Sequence, residues 1–179
     1  LFNGSNNIYT KIIYNSLNKD TYLVKRDFIN IKNGIAFYSD KHKKIFFDVV
    51  QPNKDKISSN LSAGTLSFEI SGFGEKIFTN CGASESYGKN PEYLRYSAAH
   101  STIILQNTNI SEITEGNPHK KFPQSVVFRK ESNSNQEIFE GSHNGYVGKF
   151  NKIIKRKLII HKDKNKLIGE DSNCLLYTS

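Results

Sequence analysis

Apolar and polar residues alternate most clearly near the middle of the chain. Leu66, Phe68 and Ile70 alternate there with serine and glutamate, which is the two-residue period of a strand that buries one face. Gly72-Phe73-Gly74 follows, and an extended run from Lys76 to Thr79 comes next. The order of strand, glycine-rich turn and strand predicts a β-hairpin. It does not predict a phosphate-binding loop, because that motif requires a helix after its glycines.

The remaining chain repeats this pattern in shorter pieces. Runs of β-branched and aromatic residues are separated by turn residues, and no segment shows the apolar spacing of a long amphipathic helix. Many short strands at close spacing predict an all-β fold, an antiparallel and supersandwich-like β-sandwich without a long helix. The strands are predicted at 8–14, 21–25, 34–38, 44–50, 66–71, 76–79, 103–105, 126–129, 137–140, 152–161 and 167–168.

The net charge of the chain indicates which class of partner it could bind. The chain carries 25 Lys and Arg against 17 Asp and Glu, for a formal net charge of +8, which favours a polyanionic partner of unspecified kind. The densest basic stretch, 152–166, contains no Phe, Trp or Tyr, whereas nucleic-acid platforms need aromatic rings for stacking. We therefore expect no nucleic-acid partner and interpret this stretch first as a charged rim that protects a sheet edge. No apolar run is long enough to span a membrane.

A loop rich in Tyr, Arg and His follows the predicted hairpin. It contains Tyr87, Arg95, Tyr96 and His100 and leads into the apolar run 103–105. Loops held between buried strands are common locations for binding and catalytic residues, and His and Tyr are suited to proton transfer. This loop is the candidate site. For His100, contact with a substrate and a structural role at the start of a strand are equally open, and each tyrosine taken alone is more often a packing residue.

Several ordered blocks of sequence resemble one known family. They are AGTLSFEIS, IFTNCG, RYSAAHSTIIL, EGSHNGYV and IKRKLIIHKDKNKLIGED. Together they resemble the C-terminal β-domain of the heparinase II/III-like polysaccharide lyases. We therefore expect residues 1–171 to form this β-sandwich domain. Residues 172–179, which depart from the family pattern, are expected to form a non-native or disordered tail that packs poorly.

The resemblance implies a function for the whole protein. Its members are carbon–oxygen lyases that cleave acidic, uronate-containing polysaccharides such as glycosaminoglycans by β-elimination in the bacterial periplasm or cell envelope. An N-terminal α/α toroid domain supplies part of their active site, so this chain without a toroid is expected to be inactive alone. β-Elimination needs a base, an acid and groups that neutralise the uronate carboxylate. We expect catalysis from Tyr87 and His100. Tyr87 matches a loop position where some relatives place a tyrosine acid, and Tyr93 and Tyr96 compete for that role. We expect substrate binding by Arg95, Tyr96 and His143, although Asn144-Gly145 predicts first of all a hairpin turn beside His143.

Relatives also carry a zinc site, whose counterpart here lacks most of its ligands. Their His-x-His pair, following aspartate and later histidine correspond to Asn60, Ser62, Asn80 and His100. One histidine cannot hold zinc, which takes about four ligands, so we predict no metal and no cofactor. Asn80 and His100 could instead form a hydrogen-bonded link between loop and strand. Loss of the His-x-His pair favours an alternative function, a non-catalytic module that binds or shapes a glycan groove.

Overall fold

The computed structural model describes residues 34–52, 62–82, 92–113, 121–162 and 164–175. Their strands are β1 (Ile35–Ser39), β2 (Lys43–Asp48), β3 (Phe68–Gly72), β4 (Glu75–Phe78), β5 (Val126–Ser132), β6 (Gln136–Tyr146), β7 (Lys152–His161) and β8 (Leu167–Leu175). They form two antiparallel four-stranded sheets, ordered β1-β2-β3-β4 and β5-β6-β7-β8. This confirms the predicted all-β fold without a long helix. The strands predicted at 8–14 and 21–25 lie outside the described residues.

Short helical turns join the strands of this part of the chain. Two 3-10 turns, Glu92–Arg95 and Ser97–Ala99, precede the second sheet, and a one-turn helix, α1 (Val147–Phe150), connects β6 to β7. The β3–β4 connection is the two-residue turn Phe73-Gly74, whose φ angles of 54° and 83° are those of a primed hairpin turn. The predicted hairpin is therefore confirmed.

The β6–β7 reversal lies further along the chain than we expected. Asn144-Gly145 was predicted to be the turn, but β6 continues to Tyr146 and the chain reverses through α1 and Asn151, whose φ is 53°. The side chain of Asn144 instead accepts hydrogen bonds from the backbone nitrogens of Gln124 and Ser125 at 2.8 and 2.9 Å. These bonds hold the segment against the chain that enters β5.

β7 is an inner strand, so its basic residues do not protect a sheet edge as we had interpreted them. It pairs with β6 on one side and β8 on the other. Across the outer face of the sheet, a row of opposite-charge neighbours runs through all four strands, which stabilises antiparallel pairing. The row consists of Arg129, Glu140, Lys157 and Glu170.

The two sheets bury one apolar cluster between them. Its buried members come from both sheets and from the segment before β3: Ala36, Ile45, Phe47, Leu66, Ile70, Phe139, Leu158 and Ile160. Gly141 lets Leu66 and Phe47 approach the backbone of β6 closely. A Cβ atom at position 141 would lie 2.5 Å from Cδ2 of Leu66 and 3.0 Å from Cζ of Phe47. The segment that precedes β3 is therefore pressed directly against β6.

The end of β8 includes residues that we had assigned to the tail. Residues 172–175 continue the strand and pair with residues 152–155 of β7, while their side chains remain exposed. The described residues of this segment thus belong to the sheet through their backbone and contribute little to the core.

Candidate functional site

Two loops beside β3 form the candidate site. The first covers residues 62–67 and the second covers residues 92–111; together they are called the site loops below. Ser97 is completely buried between them. Its hydroxyl donates to the carbonyl oxygen of Ala63 at 2.7 Å and accepts from the backbone nitrogen of Ile110 at 2.9 Å. Thr102 adds a second link, since its hydroxyl donates to the carbonyl oxygen of Thr65 at 2.6 Å.

Asn80 and Ser101 attach the second site loop to β3. The backbone nitrogen of Ser101 donates to Oδ1 of Asn80 at 2.7 Å. The Ser101 hydroxyl accepts from the backbone nitrogen of Phe68 at 2.8 Å and donates to its carbonyl oxygen at 2.6 Å. Asn80 is thus part of a hydrogen-bonded link between loop and strand, and its partner is Ser101 where we had considered His100.

His100 is half-buried, with its ring held in one orientation. Nε2 lies 3.1 Å from the carbonyl oxygen of Leu94, and because a carbonyl only accepts, this nitrogen carries the proton and Nδ1 has the lone pair. Burial lowers the pKa of His100 to about 4, so the ring is neutral at pH 7. The ring packs against Gly64, where a Cβ atom would lie 3.2 Å from Cγ and 3.4 Å from Nδ1 of His100. A side chain at position 64 would therefore press on the edge of the ring that carries the lone pair.

Arg95 ends the first 3-10 turn, whose Leu94 carbonyl oxygen contacts Nε2 of His100, and Tyr96 links it to the second turn. The backbone nitrogen of Ala63 donates to the carbonyl oxygen of Arg95 at 2.8 Å, and Ala99 donates to that of Tyr96 at 2.9 Å. Burial lowers the pKa of Arg95, and the charge of Glu92 opposes this effect; the guanidinium remains a cation. The structure therefore brings three of the predicted site residues onto adjacent turns. Tyr87 lies outside the described residues.

His143 lies in the interior, on the inward face of β6, with 1% of its surface exposed. Its Nδ1 accepts from the backbone nitrogen of Gly145 at 3.1 Å, and no described residue accepts a bond from its buried Nε2. Burial, with a smaller effect of the Arg156 charge, lowers the pKa of His143 to about 4. A side chain buried to this degree offers no surface to a polysaccharide, so we assign it to the core rather than to substrate binding.

Arg156 connects both site loops to the second sheet, and the sequence analysis missed it. It is 6% exposed. Its Nε and Nη2 donate to the two carboxylate oxygens of Asp171, each at 2.7 Å. Its Nη1 donates to the carbonyl oxygens of Leu66, at 2.7 Å, and of Ser101. The alternation of inward and outward residues along β7 could have revealed it, because Arg156 shares the inward face with Ile154, Leu158 and Ile160.

The run 103–105, predicted to be a strand, is an irregular segment that leads into a tight turn. Leu105 forms an isolated bridge with Thr108 around Gln106 and Asn107, whose φ angles are 45° and 54°. The hydroxyl of the buried Tyr146 lies 3.0 Å from the carbonyl oxygen of Ile103 and 2.8 Å from that of Thr108. A side chain from β6 thus provides the partner that a neighbouring strand would have supplied.

Among the described residues, no group of three or more His, Cys, Asp and Glu side chains could hold a metal ion. The absence of zinc stays a prediction, since Asn60 of the four compared positions lies outside the described ranges. No helix in the described residues is sufficiently long and apolar to cross a membrane.

Comparison with known proteins identifies one family. A family model described as "Heparinase II/III-like, C-terminal" matches residues 31–173. No curated protein and no solved structure matches the chain. The family match includes both sheets and both site loops.

Proposed function

Because the chain belongs to the heparinase II/III-like C-terminal domain family, we propose that it is the β-domain of a lyase that cleaves acidic, uronate-containing polysaccharide by β-elimination. The family describes a C-terminal unit, which supports a further domain earlier in the same polypeptide that completes the active site. We place the enzyme in the periplasm or cell envelope, where such polymers are accessible.

The observation that carries the proposal is the arrangement of His100 beside Arg95. Neutral His100 has its lone pair on Nδ1, next to Gly64, and Arg95 is a cation on the adjacent turn. In the proposed reaction Nδ1 takes the C5 proton of a uronate, and the C–H electron pair forms the C4–C5 double bond. The C4–O4 bond breaks, and an acid protonates the leaving oxygen. Arg95 neutralises the charge that develops on the carboxylate. Tyr87 is the proposed acid.

The test uses the full-length polypeptide that contains this domain, incubated with a panel of uronic-acid polysaccharides. The unsaturated product is followed by its ultraviolet absorbance. We expect His100→Ala and Tyr87→Phe each to reduce the rate by about a hundredfold or more, the usual contribution of a general acid or base. His42→Ala is the matched control, because His42 is also half-buried but lies beside Phe73 at the β3–β4 turn. An unchanged rate in His100→Ala would exclude His100 as the base.

A second candidate function is glycan binding without cleavage. Two observations favour it: Nε2 of His100 is engaged by Leu94, and the pKa of about 4 makes the ring a weak base. If this function is correct, an acidic polysaccharide in the gel reduces the electrophoretic mobility of the wild-type polypeptide, but no unsaturated product is released. Product formation by the wild type would exclude it.

A further inference from the structure

The outer face of the second sheet, formed by the side chains of β5 to β8 that turn away from the core, carries an apolar row. Three isoleucines stand in register across it, with Ile138 beside Ile159 and Ile159 beside Ile168. Each of them is half-buried, and Val127 on the same face is 50% exposed. An antiparallel sheet with one face in water normally has polar side chains on that face. The outer face is therefore a candidate docking surface.

The charged row beside the isoleucines alternates in sign. From β5 to β8 its members are Arg129, Glu140, Lys157 and Glu170, and the first and the last of them are exposed. Pairing within the sheet accounts for the opposite signs of neighbours. Because the row has an even number of members, its reverse carries the opposite sign at every position. The row is therefore complementary to a second copy of itself that runs in the reverse order.

A two-fold axis parallel to the strands produces this reversal. It stacks the outer faces of two copies so that β5 of one copy lies over β8 of the other and β6 lies over β7. The two end charges, Arg129 and Glu170, then face each other across the interface, as do the two inner charges. The inner members of the isoleucine row, Ile138 and Ile159, meet in the same way. A two-fold axis across the strands would instead place each charge over its own copy, which repulsion disfavours.

We propose that the outer face of the second sheet is a two-fold interface between two copies of this chain. Three rows of four side chains form it: the isoleucine row, the charged row and the row that begins with Val127. A standard interface uses about 20–30 residues a side, so we expect a weak dimer with a micromolar Kd. This contact leaves the site loops uncovered, because Arg156 reaches them from the inner face of β7. The interface is independent of the lyase proposal.

Sedimentation velocity of the full chain, from micromolar to submillimolar concentrations, measures the dimer and its Kd. The test variants are Arg129→Glu and Glu170→Lys. Each variant alone places like charges over one another at both ends of the interface, whereas a dimer of one variant with the other pairs opposite charges again. The matched controls, Lys76→Glu and Glu75→Lys, make the same changes of net charge on the exposed strand β4. Urea unfolding of each variant verifies that it is folded.

The wild type and both controls are expected to dimerise with the same Kd. Each test variant alone should dimerise at least about tenfold more weakly because the facing like charges repel, and an equimolar mixture should regain a Kd within about threefold of the wild type. A wild type that stays monomeric at every concentration would overturn the interface. Dimers that both test variants retain, or that the mixture does not restore, would overturn it too, since the charged row would then act only within each chain. Equal weakening by the controls would assign the effect to net charge and reject this face.

Discussion

At the residue scale, Arg156 links more segments than any other side chain discussed above. Its guanidinium holds Asp171 of β8 and the carbonyl oxygens of Leu66 and Ser101, one in each site loop. It also lies 5.2 Å above the ring of Phe68. Leu66 has a φ of 63°, a conformation that costs free energy in a non-glycine residue. Arg156 therefore stabilises a backbone conformation that leucine would not adopt alone.

Replacing Arg156 by Lys should destabilise the protein although the charge is kept. An ammonium group cannot reproduce the bidentate pair and the two carbonyl contacts at once, and it is costly to leave the carbonyl oxygens of Leu66 and Ser101 without this donor. We expect a loss of about 2–4 kcal/mol in the free energy of unfolding, measured with urea. Lys155→Gln is the matched control, because Lys155 is the exposed neighbour on the other face of β7, and it should change stability by less than about 0.5 kcal/mol. Equal stabilities for the two variants would contradict this account.

At the element scale, β6 depends on a glycine for its contact with the segment before β3. Gly141→Ala would bring Cβ to 2.5 Å from Leu66 and 3.0 Å from Phe47, and both side chains are buried in the core. We expect a loss of about 1–3 kcal/mol in thermal or urea unfolding, the usual cost of overpacking. Gly148→Ala in α1 is the control, since a Cβ atom there meets nothing within 4 Å. It should be neutral or stabilise by up to about 1 kcal/mol. A Gly141→Ala variant as stable as Gly148→Ala would show that the segment before β3 can move.

Elements whose pattern is local were predicted correctly, and elements that depend on distant partners were not. The two-residue period and the turn Phe73-Gly74 are properties of a few neighbouring residues, so the β3–β4 hairpin was predictable. The reversal after β6 was not, because the side chain of Asn144 bonds residues 124 and 125, about twenty positions earlier. For the same reason the run 103–105 gave no sign that Tyr146 would be its partner. Arg156 was missed because its neighbours in sequence, Lys155 and Lys157, face outward.

At the scale of the whole molecule, the candidate site lies at the seam between the two sheets. The site loops contact β3 through Ser101 and β7 through Arg156, while Leu66 belongs to the core that both sheets share. Anything that separates the sheets therefore disturbs the support of His100. This coupling explains why the stability of the sandwich and the geometry of the site should respond together to solution conditions.

Three titratable groups with shifted pKa values make the stability of the sandwich depend on pH. Burial lowers the pKa of both His100 and His143 to about 4 from the usual 6.5 of histidine. Between these two values the unfolded chain takes up protons that the folded chain does not, so the free energy of unfolding falls as the pH falls. Desolvation raises the pKa of Asp48 to about 7 from 3.8. Between about pH 7 and 3.8, Asp48 therefore takes up a proton in the folded chain but not in the unfolded chain. This contribution raises the free energy of unfolding as the pH falls, opposite to that of the histidines.

Asp48→Asn should remove this opposing contribution and keep an acceptor for the backbone nitrogen of Val50. We expect the variant to be more stable than the wild type at pH 8 and to lose stability more steeply from about pH 6.5 to 4, by up to about 1 kcal/mol per pH unit. Urea unfolding across this range measures both slopes, with Glu75→Gln, exposed on the edge strand β4, as the control. Parallel slopes for Asp48→Asn and the wild type would mean that Asp48 stays ionised in the folded protein. Acidification would then weaken the sandwich, and through the seam the site, with no opposing contribution from Asp48.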